Sequence, residues 1–394
     1  MNILLITVGE PPLIFQEQRF HRTGILALEL SKNNKVEYWS SNFFHQTKTF
    51  FNAGNYKINK NLNFKAIKTI GYKKNISLQR FFDQFYFALK VFYLLLKEIK
   101  KPNVIVTSLP TCDLSFVTAI YCKLYKVKFI IDVRDMWPDI FWLRKKNKVI
   151  SIMIKILSSH QIFFKNFSIS NADGVVSITE EFLNWSIKKK VKSFVKLNDY
   201  FYLSPPYINL NQNFSKTIDK INILFIGVIS YQKFDFDSLF SILKNINDNI
   251  FFHFVGDGDD FEKLKSDSFR YQNIRVYGYQ SYTKILEIAK FCQFGLANYN
   301  PTIDFRMSIP NKVIEYLSYN LNIIYCLEGS TKKFLNKNSI GMYYEYKDQK
   351  SLLNILNNLK INQKTNNKYR LIYEKEFDPI KVYSSYANFI GKFL

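Results

Sequence analysis

The sequence is poor in the side chains that build metal sites and covalent frameworks. Its four cysteines, Cys112, Cys122, Cys292 and Cys326, form no CxxC pair, and its four histidines form no HExxH pair. A disulfide scaffold and a zinc site are therefore not expected, and a reducing cytosol suits the chain. No apolar run reaches the roughly 18 residues that span a bilayer. Low-complexity tracts and short repeats are missing too. The opening MNILLITVGE lacks a basic segment and a cleavage motif, and reads as a buried first strand. Acid is scarce relative to base: 32 Asp and Glu face 55 Lys and Arg, for a net charge of +23. Residues 1–200 hold 31 basic against 14 acidic side chains, the remainder 24 against 18. That asymmetry points to an anionic partner for the first half, with a merely lysine-rich solvated surface as the plainer alternative. No recognised nucleic-acid module is visible, which argues against nucleic acid as that partner.

What is present is ample material for a folded protein. Hydrophobic residues make up 47% and aromatics 17% of 394 positions, too long a chain for one core and suited to two domains. Short apolar runs at 2–8, 35–41, 103–107, 128–133 and 174–178 alternate with helical periodicity at 19–32, 78–100, 112–125, 148–165 and 180–188. Such alternation means βαβ units and a parallel sheet. The stretch 203–220, with Pro205 and Pro206, reads as a linker, after which INILFIG, FFHFVGDG, IRVYG, FGLANY and NIIYC restart the pattern. The expected organisation is therefore α/β, two Rossmann-like doubly wound domains over 1–203 and 204–370, facing a cleft. The helical segment 371–394 is expected to return to the first domain. The helix over 78–101 is apolar nearly all round between Phe85 and Leu96, which reads as a core helix against the sheet in preference to a membrane-contacting one. Basic clusters at 72–74, 142–148 and 188–192 are candidates for seating on anionic headgroups, with Phe141 and Trp142 as apolar neighbours.

In such folds ligands meet the carboxyl ends of strands. There the chain carries GEPPLIFQEQRFHRTG (9–24), with Gly9, Glu10, Arg19, His21 and Arg22, and DVRDMWPD (132–139), with Arg134 and Asp135. Three acids around an arginine at the end of a buried strand are costly unless paired, so a structural ion pair and a functional role stand equally open. FIGVISYQK (225–233) supplies Gly227 and Lys233. VGDGDD (255–260) supplies Gly256 in a weak glycine turn, and Tyr279 follows the next strand. SIPNKVIEYLS (308–318) opens a helix with Ser308, Asn311, Lys312 and Glu315. Residues three apart share a helix face, so Lys312 and Glu315 are expected to look out together. Unpaired N–H groups and the helix dipole at Ser308–Lys312 favour an anionic ligand, Lys312 adds a charge-assisted bond, and Glu315 is placed to accept from a ligand's hydroxyls. The plainer alternative is an exposed Lys312–Glu315 pair worth at most about 1 kcal/mol.

Taken together, RTGILALELSKNNKVEYWSSNFFHQTK, GYKKNISLQRFFD, DVRDMWPDIF, ADGVVSITEEF and SIPNKVIEYLS resemble the retaining family-four glycosyltransferases of GT-B fold. The likeness is strongest to bacterial members that build capsule or lipopolysaccharide sugars. It implies transfer of a sugar from a nucleoside diphosphate sugar, with retained configuration, no cofactor and no obligatory metal. The acceptor it implies is a saccharide, lipid-linked in the expected setting, at the inner face of the plasma membrane. Three positions depart from the family. Met307 stands where the first of two acids eight apart is common, Val228 where an arginine is usual, and Arg134 or Asp135 where many members have histidine. The resemblance assigns leaving-group chemistry to Lys233 and Lys312, with Arg134 and Asp135 beside the reacting centre. Donor contacts fall to Glu315, Gly227, Ser308, Asn311, Gly256 and Tyr279, and the acceptor side to Gly9, Glu10, Arg19, His21 and Arg22. A double displacement would need a carboxylate nucleophile, for which Asp135 and Asp139 are candidates. A nucleotide-sugar 2-epimerase on the same scaffold and a polyanion binder are the alternative readings.

Overall fold

A computed structural model describes all residues except 11–12, 15–20, 46, 75–76, 146, 188–196, 206–219 and 361–366. The chain divides into two compact units, one of Met1–Tyr202 with Pro379–Leu394, the other of Leu203–Asp378. Arg19 and the cluster at 188–192 lie outside the described residues, as does most of the expected linker.

In the first unit the described strands are β1 (Asn2–Ile6), β2 (Lys35–Ser41), β3 (Phe43–Phe44), β4 (Thr49–Phe50), β5 (Gly54–Lys57), β6 (Leu62–Ile67), β7 (Val104–Leu109), β8 (Lys128–Val133), β9 (Gly174–Ser177) and β10 (Leu197–Tyr200). Eight make one sheet in the order β10-β9-β8-β7-β1-β2-β6-β5, parallel except for the antiparallel edge strand β5, while β3 and β4 pair separately. The sheet is covered on both faces, which is why β7 is buried at every position and β8 at every position after Lys128, instead of alternating. One face packs the helices Leu78–Lys97, Cys112–Tyr125 and Ser159–Ser170; the other packs Arg22–Leu30 and the returning helix Pro379–Gly391. Strand order reverses between β1 and β7, the place where open α/β sheets leave a crevice.

The second unit is smaller, and its described strands pair only in parallel: β11 (Ile221–Ile226), β12 (Ile250–Val255), β13 (Ile274–Val276), β14 (Phe294–Ala297), β15 (Asn322–Tyr325) and β16 (Met342–Tyr343), ordered β13-β12-β11-β14-β15-β16, with a single-residue antiparallel bridge between Phe234 and Tyr299 beside them. Its switch point lies between β11 and β14.

Several local expectations need correction. The single helix expected over 148–165 is two, Lys148–Leu157 and Ser159–Ser170, broken at Ser158, whose φ of −92° and ψ of 8° leave the helical region. The helix Leu78–Lys97 is not a core helix on all sides: Phe87, Ala88, Val91 and Leu95 are buried while Phe82, Phe85, Leu89 and Tyr93 are exposed. Trp142 is not available to headgroups, because it is buried. The helix Lys368–Glu376 stays with the second unit, where the Tyr369 hydroxyl accepts from the Gly341 N–H, and the return begins only at Pro379.

Candidate functional site

In the second unit, three loops stack at the carboxyl ends of β11, β12 and β13. The Gly227 N–H donates to the Val255 carbonyl (2.9 Å), Ile229 N–H to Asp257 (2.9 Å), and Gly256 N–H to Gly278 (2.8 Å). Backbone meets backbone so closely here that side chains are excluded. A Cβ on Gly256, whose φ is +147°, would lie 1.8 Å from the Gly227 oxygen. Gly227 itself has φ +120° and faces solvent, with Val228 half exposed beside it. This makes an open glycine turn at the switch point, the kind of place where backbone can approach a ligand.

The helix Asn311–Ser318 starts beside that turn. Pro310 is its N-cap and supplies no side-chain cap to the first N–H groups. Lys312 comes within 3.8 Å, at its Cε, of the position a Gly227 Cβ would take. Neither Lys312 nor Glu315 looks out into water, contrary to the sequence expectation: they are 5% and 6% exposed. An exposed surface pair is thereby excluded. The Lys312 ammonium sits over the rings of Phe225 (3.1 Å to the centroid), Phe234 (3.8 Å) and Tyr299 (5.3 Å). Its Nζ has no hydrogen-bond partner among the described residues. Burial pushes its pKa well below the ordinary lysine value, opposed by the Glu315 charge. Burial, and then Glu315, push the Tyr299 hydroxyl up. A buried amine that lies against ring faces and lacks a hydrogen-bond acceptor among the described residues, and whose charged form burial disfavours, is an incomplete site that an anion would complete by restoring the ammonium.

The remaining donor-side candidates scatter around this centre. Lys233 is exposed in the loop that follows β11, pinned by Asn300, whose N–H donates to the Lys233 carbonyl (2.9 Å). Ser308 is buried, its carbonyl accepting from Thr331 Oγ1 (2.9 Å), while Asn311 and Tyr279 are exposed. Met307 follows Arg306, which pairs with Glu328 at 3.2 Å.

In the first unit, the acids and arginines of the two N-terminal motifs form one buried network. Asp132 Oδ2 accepts from Arg22 Nε and from Arg134 Nε, both at 2.9 Å. Arg134 also pairs with Glu10 and donates to Thr23 Oγ1 (2.8 Å), and Thr23 donates to Glu10 (2.7 Å). Arg22 reaches across to the Phe201 carbonyl (2.7 Å) and lies over the Tyr386 ring. Burial alone would raise the Asp132 carboxyl, but the Arg134 and Arg22 guanidiniums hold it below its ordinary value. Burial opposes the Arg134 charge, yet Asp132 and Glu10 outweigh it and raise its pKa. The structural option left open for DVRDMWPD is thus the one that Asp132 and Arg134 display. Both arginines and Glu10 are engaged in tying the ends of β1 and β8 to the helix Arg22–Leu30 and to the returning helix. Asp139 is likewise committed, to Lys165 at 2.7 Å.

Gly9, with φ +73°, packs against His45: a Cβ there would lie 2.9 Å from the His45 Cβ. His45 Nδ1 is 2.6 Å from the Tyr72 hydroxyl. His21 stands at the N-cap position of the helix Arg22–Leu30 without a side-chain cap bond, its ring in a T-shaped pair with Phe44 (6.3 Å), and Asp135 Oδ1 accepts from the Met136 N–H (2.6 Å). The ring cage of Phe225, Phe234 and Tyr299 and the His45–Tyr72 pair were missed in the sequence. The cage had a signal, since its rings stand in or just beyond the strands of the switch pair.

No family model matches the chain, and no curated protein matches it in sequence. Solved structures do match it over its whole length. Sucrose-phosphate synthase from Thermosynechococcus elongatus superposes with a TM-score of 0.71 at 11% identity, covering 100% of this chain and 98% of that one. The Anabaena protein HepE in complex with UDP-glucose gives 0.64 at 12% identity, covering 100% of both. The lipopolysaccharide outer core galactosyltransferase WaaB gives 0.59 at 15% identity, covering 99% and 100%. At such identities the likeness shows the fold, an α/β architecture of two Rossmann-like domains similar to the GT-B glycosyltransferases.

Proposed function

We propose that this chain is a glycosyltransferase that moves a sugar from a nucleoside diphosphate sugar to a saccharide acceptor. The observation that carries the reading is the buried Lys312 ammonium, caged by three rings beside the open Gly227 turn and lacking a hydrogen-bond acceptor among the described residues. A diphosphate placed there meets a lysine whose protonation it favours, a glycine turn and an uncapped helix start at once. Support comes from HepE, whose structure holds UDP-glucose, and from WaaB, named as a galactosyltransferase.

In this reading the bond from the sugar's anomeric carbon to the diphosphate breaks, and the electron pair leaves with the phosphate. Lys312 and Lys233 neutralise the charge that grows on it, where a preorganised cation acts most strongly. The acceptor oxygen bonds to the same face of the sugar and gives its proton to the departing phosphate, so configuration is retained without a metal or other cofactor. The acceptor is a lipid-linked saccharide met at the cytoplasmic face of an anionic membrane, in the synthesis of cell-surface polysaccharide. Calorimetry of the full chain against a panel of nucleotide sugars tests this: one or more should bind, competed by the matching nucleoside diphosphate. Absence of binding across the panel would remove the reading.

A further inference from the structure

The helix Lys148–Leu157, KVISIMIKIL, buries none of its residues. Val149, Ile152, Met153 and Ile156, at spacings of three and four, make one apolar face, and Ile156 is 66% exposed. A ten-residue helix is marginal in water unless a face is packed. Its local supports are the Asn147 cap, whose Oδ1 accepts from Val149 N–H (2.9 Å) and Ile150 N–H (3.2 Å), and a bond from Ser151 to the Trp142 carbonyl (3.0 Å).

A second apolar surface belongs to the same side of the first unit. Along the helix Leu78–Lys97, Leu78, Phe82, Phe85, Leu89, Tyr93 and Leu96 are exposed on the face turned away from the sheet. The two surfaces are linked through Phe81, whose ring meets Trp137 (5.7 Å) and Phe141 (6.3 Å). Phe141 lies in the short helix Ile140–Leu143 that packs on Lys148–Leu157.

Charge decides what covers this face. Residues 140–170 contain no Asp or Glu. Arg144, Lys145, Lys148 and Lys155 are exposed around the short helix, and Lys97 lies along the Tyr93 ring at the end of the long one. Apolar side chains rimmed by cations are what an anionic bilayer surface accepts, with lysine stems lying on the apolar layer and ammoniums at the phosphates. A two-fold pairing with a second copy would set these cations against themselves. A soluble polyanion would leave the apolar face in water.

We infer that the first unit docks on an anionic membrane with the helix Lys148–Leu157 lying in the headgroup layer and the stripe of Leu78–Lys97 beside it. The inference deepens the reading of a lipid-linked acceptor and rests on it for its purpose, but vesicle binding is read separately from nucleotide-sugar binding, so either can fail alone. The test uses the full chain with vesicles of phosphatidylcholine, with and without phosphatidylglycerol. Wild type should sediment with the anionic vesicles only, and less as salt shortens the screening length to about 3 Å at 1 M. The double variant Ile152→Asp, Ile156→Asp should lose at least about tenfold in vesicle affinity, as expected when the inserted face is made acidic. The single variant Met153→Trp, conservative in fold, should show emission that shifts to the blue with anionic vesicles, beyond any change seen in wild type. Equal sedimentation of wild type and double variant, no such shift from the Met153→Trp variant, or a dimer that the double variant dissociates without any vesicle binding would each overturn the inference.

Discussion

Replacing Lys312 by Met separates a binding role from a structural one. The side chains are of similar length, so the ring cage of Phe225, Phe234 and Tyr299 remains filled. What is lost is an ammonium that is 5% exposed and lacks a hydrogen-bond partner among the described residues. Burying such a polar group without a partner costs about 1–3 kcal/mol. Ring faces return about 0.5–2 kcal/mol only to the protonated form. The variant's second unit should therefore be as stable as wild type or more stable, by about 1 kcal/mol, which is about 2–4 °C in its transition. Nucleotide-sugar affinity should move the other way. Loss of a charge-assisted hydrogen bond of about 1.5–3 kcal/mol is roughly a 10- to 150-fold weaker complex. The pH dependence gives a second signature. Burial lowers the Lys312 pKa, so the unfolded chain holds the extra proton, and wild type gains stability as pH rises while the variant does not. For the same reason donor binding should take up a proton and weaken with rising pH, seen by calorimetry in buffers of different ionisation enthalpy. A variant that is destabilised by more than about 2 kcal/mol, yet binds nucleotide sugars as wild type does, would refute the reasoning, because such a lysine is a packing element.

Other outcomes follow from the same structure. Asp132→Asn should destabilise the first unit by about 3–5 kcal/mol in denaturant titration, since two buried guanidiniums lose their shared carboxylate. Gly256→Ala should unfold the second unit or abolish its nucleotide binding, because the new methyl would stand 1.8 Å from the Gly227 oxygen, whereas Gly391→Ala meets nothing within 4 Å and should leave the melting curve unchanged. Burial, helped by Arg275, holds His253 at about 4 against an ordinary 6.5, so it folds neutral. The unfolded chain then binds the proton between those values, and the second unit should lose up to about 3 kcal/mol as pH falls through that window, a slope that His253→Gln should flatten in pH-dependent melting.

The alternation of strands and helices was plain in the sequence because the central strands, β1, β7, β11 and β14 among them, are short and buried almost throughout, and helical periods separate them. The chain passes from one unit to the next at Tyr202–Leu203, close to the proline-bearing stretch that marked the boundary. Other features depend on contacts far along the chain. Spacing places Lys312 and Glu315 on one helix face, but depth is set by Phe225, Phe234 and Tyr299, which come from other elements. The Arg134–Asp132 pair was an option visible within DVRDMWPD, but that Arg22 shares the same carboxylate was not, since it lies more than a hundred residues away. The helical period over 148–165 says nothing of what the apolar side of Lys148–Leu157 meets, since periodicity reports amphipathicity and not burial.

The most direct test of glycosyl transfer is an acceptor-dependence measurement on whichever nucleotide sugar binds. The full chain is incubated with that donor and chelator, with and without a membrane extract carrying lipid-linked saccharides, and both the nucleotide and the anomeric signals of the products are followed by NMR. Nucleoside diphosphate should be released only with acceptor, matched by sugar appearing in the lipid fraction with its anomeric configuration unchanged. Conversion of the donor to an epimeric nucleotide sugar without acceptor, or transfer with inverted configuration, would contradict it.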